Sequence, residues 1–153
     1  MKVRDLSLIA AIAGQCVFEG MSKEAAVKAY KACRALKKAV KEYDDERAEA
    51  SKTLKPDGFD ALIEKVQTRQ PMTPEETATY IRLGKEYNDK VAEAIKPLGD
   101  ADVALSFDKL TPEEFYGLMA ANPKLDADAL GSLEDVIVQG ESEPKPKKTK
   151  KQA

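Results

Sequence analysis

The chain contains no histidine and no tryptophan, and only two of its 153 residues are cysteine. The missing histidine excludes the Ser-His and Cys-His pairs that activate many catalytic nucleophiles. It also excludes most transition-metal sites, since two cysteines cannot by themselves complete a four-ligand zinc cage. We therefore expect a protein that is not an enzyme and that holds no metal and no cofactor.

Glycine-rich motifs and long hydrophobic runs are also missing. The eight glycines stand singly, so the chain has neither a phosphate-binding loop nor a dinucleotide fingerprint. No run reaches the roughly 18–20 apolar residues of a membrane span. The N-terminus is not typical of a signal peptide, because Asp5 interrupts its start and Gln15 stands where a lipoprotein signal has a small residue before Cys16. We expect a cytoplasmic protein with no membrane contact.

The residues that are abundant favour helices. Hydrophobic residues make up 42% and charged residues 34% of the chain, with much Ala, Glu, Lys and Leu. The length suits one domain. The sequence predicts a mainly all-α fold, with a single helical domain over residues 1–139 and a disordered Lys/Pro-rich tail over residues 140–153.

Apolar spacing predicts the order of the helices. A short first helix should end at Phe18, and a long second helix should follow a Ser22 cap and run to Leu54. A shorter segment begins at Phe59. The fourth helix should extend to Ile95 or Lys96 and pair antiparallel with the second as a long hairpin, with Tyr80, Ile81, Tyr87, Val91, Ala94 and Ile95 on its apolar stripe.

Two identical signals predict helix starts, and one segment predicts a strand. Thr-Pro-Glu-Glu occurs at residues 73–76 and again at residues 111–114, and it combines a Thr cap, a first-turn Pro and a Glu that reaches back to the cap. Between them, residues 103–107 alternate as in a short β segment. The second signal and a last helix from Asp126 predict a small C-terminal helical lobe.

The two cysteines fall at apolar positions of the first two helices. If those helices turn back at Gly20, Cys16 lies about 10 Å from the level of Cys33 at ~1.5 Å per residue. That separation excludes a disulfide and predicts two buried free thiols.

Charge is uneven along the chain. Residues 141–153 contain five lysines and two glutamates, so the tail carries a net charge of +3 and the remaining body carries −5. A dedicated nucleic-acid binder has a basic domain, so nucleic acid is at most a weak partner, held through the tail. The tail is therefore either a solubilising end, which the acidic body favours, or a contact for a polyanion. In the second case the candidate polyanion-binding residues are Lys145, Lys147, Lys148, Lys150 and Lys151.

Charged clusters on the second helix are the remaining candidates. The acidic residues of 44–49 are read as a solvated face rather than a cation site, because no loop motif accompanies them. The basic residues either form a solvated face or contact a partner. The candidate partner-binding residues are Lys31, Arg34, Lys38, Tyr43 and Arg47.

The order of elements resembles a family of small tailed-phage proteins classified only as a domain of unknown function. The resemblance covers the opening Met1-Lys2-Val3-Arg4-Asp5-Leu6, the long helix from Lys31 to Arg47 and the stretch Val103 to Val138. Within that last stretch the matching residues are Leu110-Thr111-Pro112-Glu113-Glu114-Phe115, Leu130, Leu133 and Ile137. The resemblance implies a phage or prophage product with no catalytic residue.

Two functions are compatible with these patterns. The first is a non-catalytic phage interaction protein, such as an assembly factor, adaptor or minor structural component, that contacts a protein partner or a second copy of itself. The alternative is a small inhibitor or modulator of a host enzyme or nucleic-acid machine that binds through its charged helix faces.

Overall fold

The computed structural model describes residues 1–140, and this part of the chain is all-α. Its helices are α1 (Val3–Ala13), α2 (Lys23–Thr53), α3 (Phe59–Gln67), α4 (Pro74–Gly99), α5 (Pro112–Ala121) and α6 (Ala127–Ile137). From residue 141 onward, the predicted tail lies outside the described residues.

Packing divides the chain into two compact units. Of the described residues, the first unit comprises Met1, Asp5–Val40 and residues 103–140, and the second comprises Lys2–Arg4 and Lys41–Asp102. Helix α2 therefore contributes residues to both. Both units contain residues from the range 1–139, which the sequence predicts to be a single domain.

The first unit has a dense apolar core. On α1, Leu6, Ala10 and Ala13 recur at steps of four and three residues and are all buried. The first half of α2 buries small residues, among them Ala25, Ala29 and Ala32, which allow close approach of a neighbouring helix. The large, fully buried side chains are Leu6, Leu36, Val40, Leu110, Phe115, Leu118, Leu133 and Ile137.

Helix α1 ends at Ala13, so the prediction that it reaches Phe18 is wrong. The backbone tightens after Ala13, where the N–H of Gln15 bonds to the carbonyl of Ile12 at 3.0 Å. Both backbone groups of Val17 then bond to the Asn122 side chain, at 2.7 Å through the N–H and 2.8 Å through the carbonyl. Tertiary hydrogen bonds thus replace the helical ones, which the local sequence does not reveal.

The predicted β segment is extended but pairs with no strand within residues 1–140. Its odd positions from Val103 to Phe107 are half-buried, while Ala104 and Ser106 are exposed, so the alternation in the sequence reflects packing on helices. The segment leads to Leu110, whose N–H bonds to the carbonyl of Ile137 at 2.8 Å and whose carbonyl accepts from Gln139 at 2.9 Å. These two hydrogen bonds connect the end of α6 to the segment that precedes α5.

The second unit contains the predicted antiparallel hairpin. Near one end, Tyr43 of α2 packs against Gly99 of α4; eight residues further along α2, the carbonyl of Ser51 accepts a hydrogen bond from the hydroxyl of Tyr87. Contacts that advance on α2 and retreat on α4 define antiparallel helices. Helix α3 covers this pair through Phe59, which stacks on Tyr80 at 5.7 Å between ring centroids.

Helix α4 continues through Pro97 to Gly99, beyond the predicted end at Ile95 or Lys96. A proline removes only its own donor, and here that loss falls in the last turn. Ile95 and Gly99 are both buried, and a side-chain carbon at Gly99 would lie 3.0 Å from the Tyr43 ring. The packing of Tyr43 on this turn keeps it helical.

Both predicted capping boxes are present. The hydroxyl of Thr73 accepts from the N–H of Glu76 at 3.1 Å, and that of Thr111 accepts from the N–H of Glu114 at 3.2 Å. In each case the glutamate side chain accepts from the N–H of the threonine. Ser22 caps α2 in a similar way, accepting from Ala25 at 3.3 Å.

Both cysteines are free, as predicted; Cys33 is buried as expected, whereas Cys16 is half-buried. Because α1 ends early, a nine-residue connection over residues 14–22 replaces the tight turn assumed at Gly20. Gly14 lies beside the stem of Lys37, with 3.8 Å between its side-chain position and the lysine Cε. The sulfur of Cys16 lies in this connection and donates to the carbonyl of Ile12 at 3.6 Å.

We predict that Leu36→Ala lowers the free energy of unfolding by about 2–5 kcal/mol, because Leu36 is fully buried and the truncation leaves a cavity. Urea unfolding followed by circular dichroism measures the change. Lys38→Ala on the exposed side of the same helix is the matched control and should change stability by less than about 0.5 kcal/mol. Equal effects of the two substitutions would contradict the assigned core.

Candidate interaction surfaces

A cationic stripe runs along α2 in the first unit. Lys31, Arg34 and Lys38 are all exposed, and their spacing of three and four residues places them on one side of the helix, opposite the buried Leu36. None of the three has an ion-pair partner within residues 1–140. The structure therefore brings together three of the predicted partner-binding residues, and their role stays a prediction.

The other two predicted contact residues differ from these three. Tyr43 belongs to the second unit and is only 8% exposed, so its ring is part of the core rather than an anchor for a partner. Arg47 is exposed, but its guanidinium lies 5.8 Å from the centre of the Tyr43 ring and 3.7 Å from Asp44. These contacts are typical of a side chain that covers the end of a core.

Two acidic residues of the same helix form ion pairs with neighbouring cations. Asp45 pairs with Lys41 at 2.6 Å, and Asp44 pairs with Arg47. No group of three or more acidic or cysteine side chains in the described part of the chain is arranged to hold a metal ion.

A mixed-charge groove lies beside the stripe in the first unit. It has a volume of about 810 Å³ between the start of α2 and the segment before α5. Its walls carry three cations and three anions around an apolar floor of Val27 and Phe107. The lining is Lys23, Glu24, Val27, Lys28, Lys31, Ser106, Phe107, Asp108 and Glu114. The balanced charge favours a polar peptide surface over a polyanion.

Glu114 organises one wall of that groove. One of its carboxylate oxygens accepts from the Lys28 ammonium at 2.8 Å and from the N–H of Thr111 at 2.9 Å. The hydrogen bond from Lys28, and next the one from the Thr111 backbone, lower the pKa of Glu114 below its usual value. The same carboxylate therefore caps α5 and ties α5 to α2.

The second unit has a groove lined by aromatic and aliphatic side chains together with Lys85, Asn88 and Asp89. It has a volume of about 660 Å³ along α3 and α4. Phe59 and Tyr80 form a stacked pair at its side, Ile63 is half-buried, and Gly84 leaves the groove open where a side chain would stand. Ile81 at its edge is 64% exposed. We call the surface formed by Phe59, Ile63, Tyr80, Ile81 and Gly84 the aromatic groove.

The exposure of Ile81 contradicts its predicted place on the buried stripe of α4. Six residues separate Ile81 from Tyr87, which rotates it about 120° around the helix. Tyr87 faces α2, so Ile81 points to the side of α4 beyond Phe59. The prediction placed Ile81 on the stripe because it is apolar and did not take this angle into account. The aromatic residues at positions 59 and 80 are the feature of the sequence that could have indicated the groove.

Two further predictions lie partly beyond these surfaces. The lysines proposed to bind polyanions are outside the described residues. No helix within residues 1–140 combines the length and the hydrophobicity needed to cross a bilayer.

Comparison of the chain with protein-family models, with characterised proteins and with solved structures finds no match. The resemblance to a tailed-phage family therefore stays a prediction, and no functional residue is transferred from a relative.

We predict that the first unit is less stable in acid, because protonation of Glu114 weakens its hydrogen bonds with Lys28 and Thr111. Its pKa is lowered on folding, so the stabilisation is complete above the unfolded pKa of about 4.5 and is lost as the pH falls through the lower folded value. Glu114→Gln should cost on the order of 1 kcal/mol at pH 7, and this difference from the wild type should shrink below about pH 4.5.

Denaturant unfolding at a series of pH values measures this dependence. Glu113→Gln is the control, since it removes the same charge from an adjacent, exposed position of the same helix. A difference between wild type and Glu114→Gln that stays constant down to pH 3 would contradict the assigned role of the carboxylate.

Proposed function

We propose that the protein is a non-catalytic interaction protein that acts through helical protein–protein contacts. In this proposal it is an assembly factor, adaptor or minor structural component encoded by a phage or prophage, and it works in the cytoplasm of the host cell. The observation that carries the proposal is the aromatic groove of the second unit. It places the rings of Phe59 and Tyr80 beside Ile81, which is 64% exposed, and aromatic side chains are common anchors of protein interfaces.

The uneven burial of the two units supports this reading. The eight largest fully buried side chains all belong to the first unit. In the second unit the buried apolar residues are Val3, Tyr43, Phe59 and Ile95. Of the predicted α4 stripe only Ile95 is buried; three residues are half-buried and two are exposed, in the order Tyr80, Tyr87, Val91 and Ile81, Ala94. A helical layer with a thin core and an apolar outer groove gains stability when a partner covers it.

Self-association and partner binding share one test. Light scattering coupled to size exclusion at several concentrations detects a second copy, and affinity purification of the tagged protein with mass spectrometry detects another partner. We predict that Ile81→Asp weakens the association by more than about ten-fold, because a charge then enters the apolar contact. Helicity should be unchanged, since the Ile81 side chain is 64% exposed.

The matched control is Leu8→Asp, which makes the same kind of change at a 69% exposed apolar residue of the first unit. It should leave the association unaffected. A strict monomer that captures no partner, or equal losses from both substitutions, would argue against the aromatic groove as the contact.

The cationic stripe favours a second candidate function, that of a small modulator of a host enzyme or nucleic-acid machine. Three exposed cations with no partner within residues 1–140 suit an acidic protein surface. The triple charge reversal of Lys31, Arg34 and Lys38 to Glu should leave the fold intact and abolish capture of such a partner.

A reversal of Lys52, Lys90 and Lys96 matches this charge change on exposed positions of the second unit. If capture depends on the stripe, only the first reversal removes it and added salt weakens it in the wild type. Equal losses from both reversals would indicate a net-charge effect and would remove the stripe from the interface.

A further inference from the structure

Two opposite charges lie beside the aromatic groove of the second unit. Lys85 and Asp89 both line the groove and are exposed, and they are one helical turn apart on α4. Neither side chain forms an ion pair within residues 1–140, although the neighbouring Arg82 and Glu86 pair with each other at 3.5 Å. A cation and an anion at the edge of the groove are therefore available to a second surface.

The exposed side of α4 continues the groove along the helix. Asn88 and Ala92 follow Ile81 by seven and eleven residues, close to two and three whole turns, so these three side chains lie along one line. Lys85 and Asp89 lie about 40° and about 80° to one flank of that line. All five residues are exposed. We call the surface formed by Ile81, Lys85, Asn88, Asp89 and Ala92 the outer face of α4.

The outer face of α4 is self-complementary when two copies pair antiparallel. If a two-fold axis passes at the level of Tyr87, each residue faces the one that lies equally far on the other side of position 87. Lys85 of each copy then faces Asp89 of the other copy. Ile81 of each copy faces Ala92 of the other to within one residue, about 1.5 Å along the helix.

The flanks of the helix agree with this pairing. A two-fold axis perpendicular to both helices brings the same flank of each copy together, and Lys85 and Asp89 share a flank. Asn88 lies next to the axis, where its amide offers a donor and an acceptor to the same amide of the other copy. Gly84 and Ala92 carry at most a methyl group, which allows the two helices to approach closely.

We propose that the aromatic groove and the outer face of α4 bind a second copy of this chain, as an antiparallel pair of α4 helices with two ion pairs between Lys85 and Asp89. This inference rests on the proposed function, because it names the occupant of the same groove. Charge favours a second copy, since an antiparallel copy presents the same two charges in reversed order and satisfies both at once. The apolar contact of Ile81 supplies affinity, and the ion pairs fix the register.

The first experiment measures the self-association of the full-length protein. Light scattering coupled to size exclusion over a range of concentrations should show a monomer that converts into a dimer, and added salt should weaken the dimer. Lys85→Glu places an anion opposite Asp89 twice in each dimer, and Asp89→Lys places a cation opposite Lys85 twice. Each variant should therefore weaken self-association by at least about ten-fold.

The decisive measurement mixes these two variants. In a mixed dimer the introduced glutamate faces the introduced lysine, and the native Asp89 of one chain faces the native Lys85 of the other. Equimolar mixing should therefore restore the dimer to within about three-fold of the wild-type affinity. Tagged Lys85→Glu should capture untagged Asp89→Lys but not untagged Lys85→Glu. Such a rescue also shows that both variants are folded.

Lys90→Glu is the matched control. It makes the same change of charge at an exposed residue on the opposite side of α4, nine residues and two and a half turns from Ile81. Self-association should be unchanged in this variant. Equal losses from Lys85→Glu and Lys90→Glu would indicate an effect of net charge and would contradict the pairing.

The outcomes separate this inference from the proposed function. A wild-type protein that stays monomeric at every concentration overturns the inference, whereas capture of a different protein that Ile81→Asp abolishes leaves the proposed function standing. A wild-type dimer that neither charge reversal weakens, or that mixing does not restore, overturns the antiparallel pairing. If neither self-association nor the capture of another protein depends on Ile81, both the inference and the proposed function fail.

Discussion

The first unit depends on one buried amide. Asn122 is 5% exposed and ends α5, where its side chain bonds to both backbone groups of Val17 and to the carbonyl of Leu118. A buried amide whose hydrogen bonds are satisfied in this way is costly to disturb, because each group would otherwise lie unpaired away from water. It holds the connection after α1 in a fixed path.

The two units are stabilised by different balances of interactions. In the first unit, leucines and Phe115 fill a continuous core, and the ion pair of Lys28 with Glu114 adds to it. The second unit has fewer buried apolar side chains and is also held by ion pairs. Lys55 pairs with Asp60 at 3.0 Å, and Lys65 pairs with Glu76. Exposed ion pairs of this kind contribute little each. The second unit is therefore the part of the chain with more to gain from an added apolar contact, which is why the proposed function centres on the aromatic groove.

What could be predicted from the sequence follows the range of the interactions concerned. The Thr-Pro-Glu-Glu starts of α4 and α5 were predicted because a capping box is made within four residues. The antiparallel pairing of α2 with α4 was also predicted, since each of the two helices carries a long apolar stripe. The end of α1 was not, because Asn122, more than a hundred residues away, replaces its helical hydrogen bonds. Ile81 was misplaced because apolar character alone does not give the angle of a side chain around its helix.

The distribution of tyrosines gives the molecule an uneven intrinsic optical signal. Tyr30 and Tyr116 of the first unit are 50% and 67% exposed, whereas Tyr43 of the second is buried and Tyr80 and Tyr87 pack around Phe59. With no tryptophan to mask them, the packed tyrosine rings of the second unit should contribute more to near-ultraviolet dichroism than Tyr116, and Tyr30 should add a smaller signal through its contact with Phe18. Loosening of the first unit would therefore change near-ultraviolet dichroism less than far-ultraviolet helicity, so the chain carries its own means of telling the opening of one unit from that of the other.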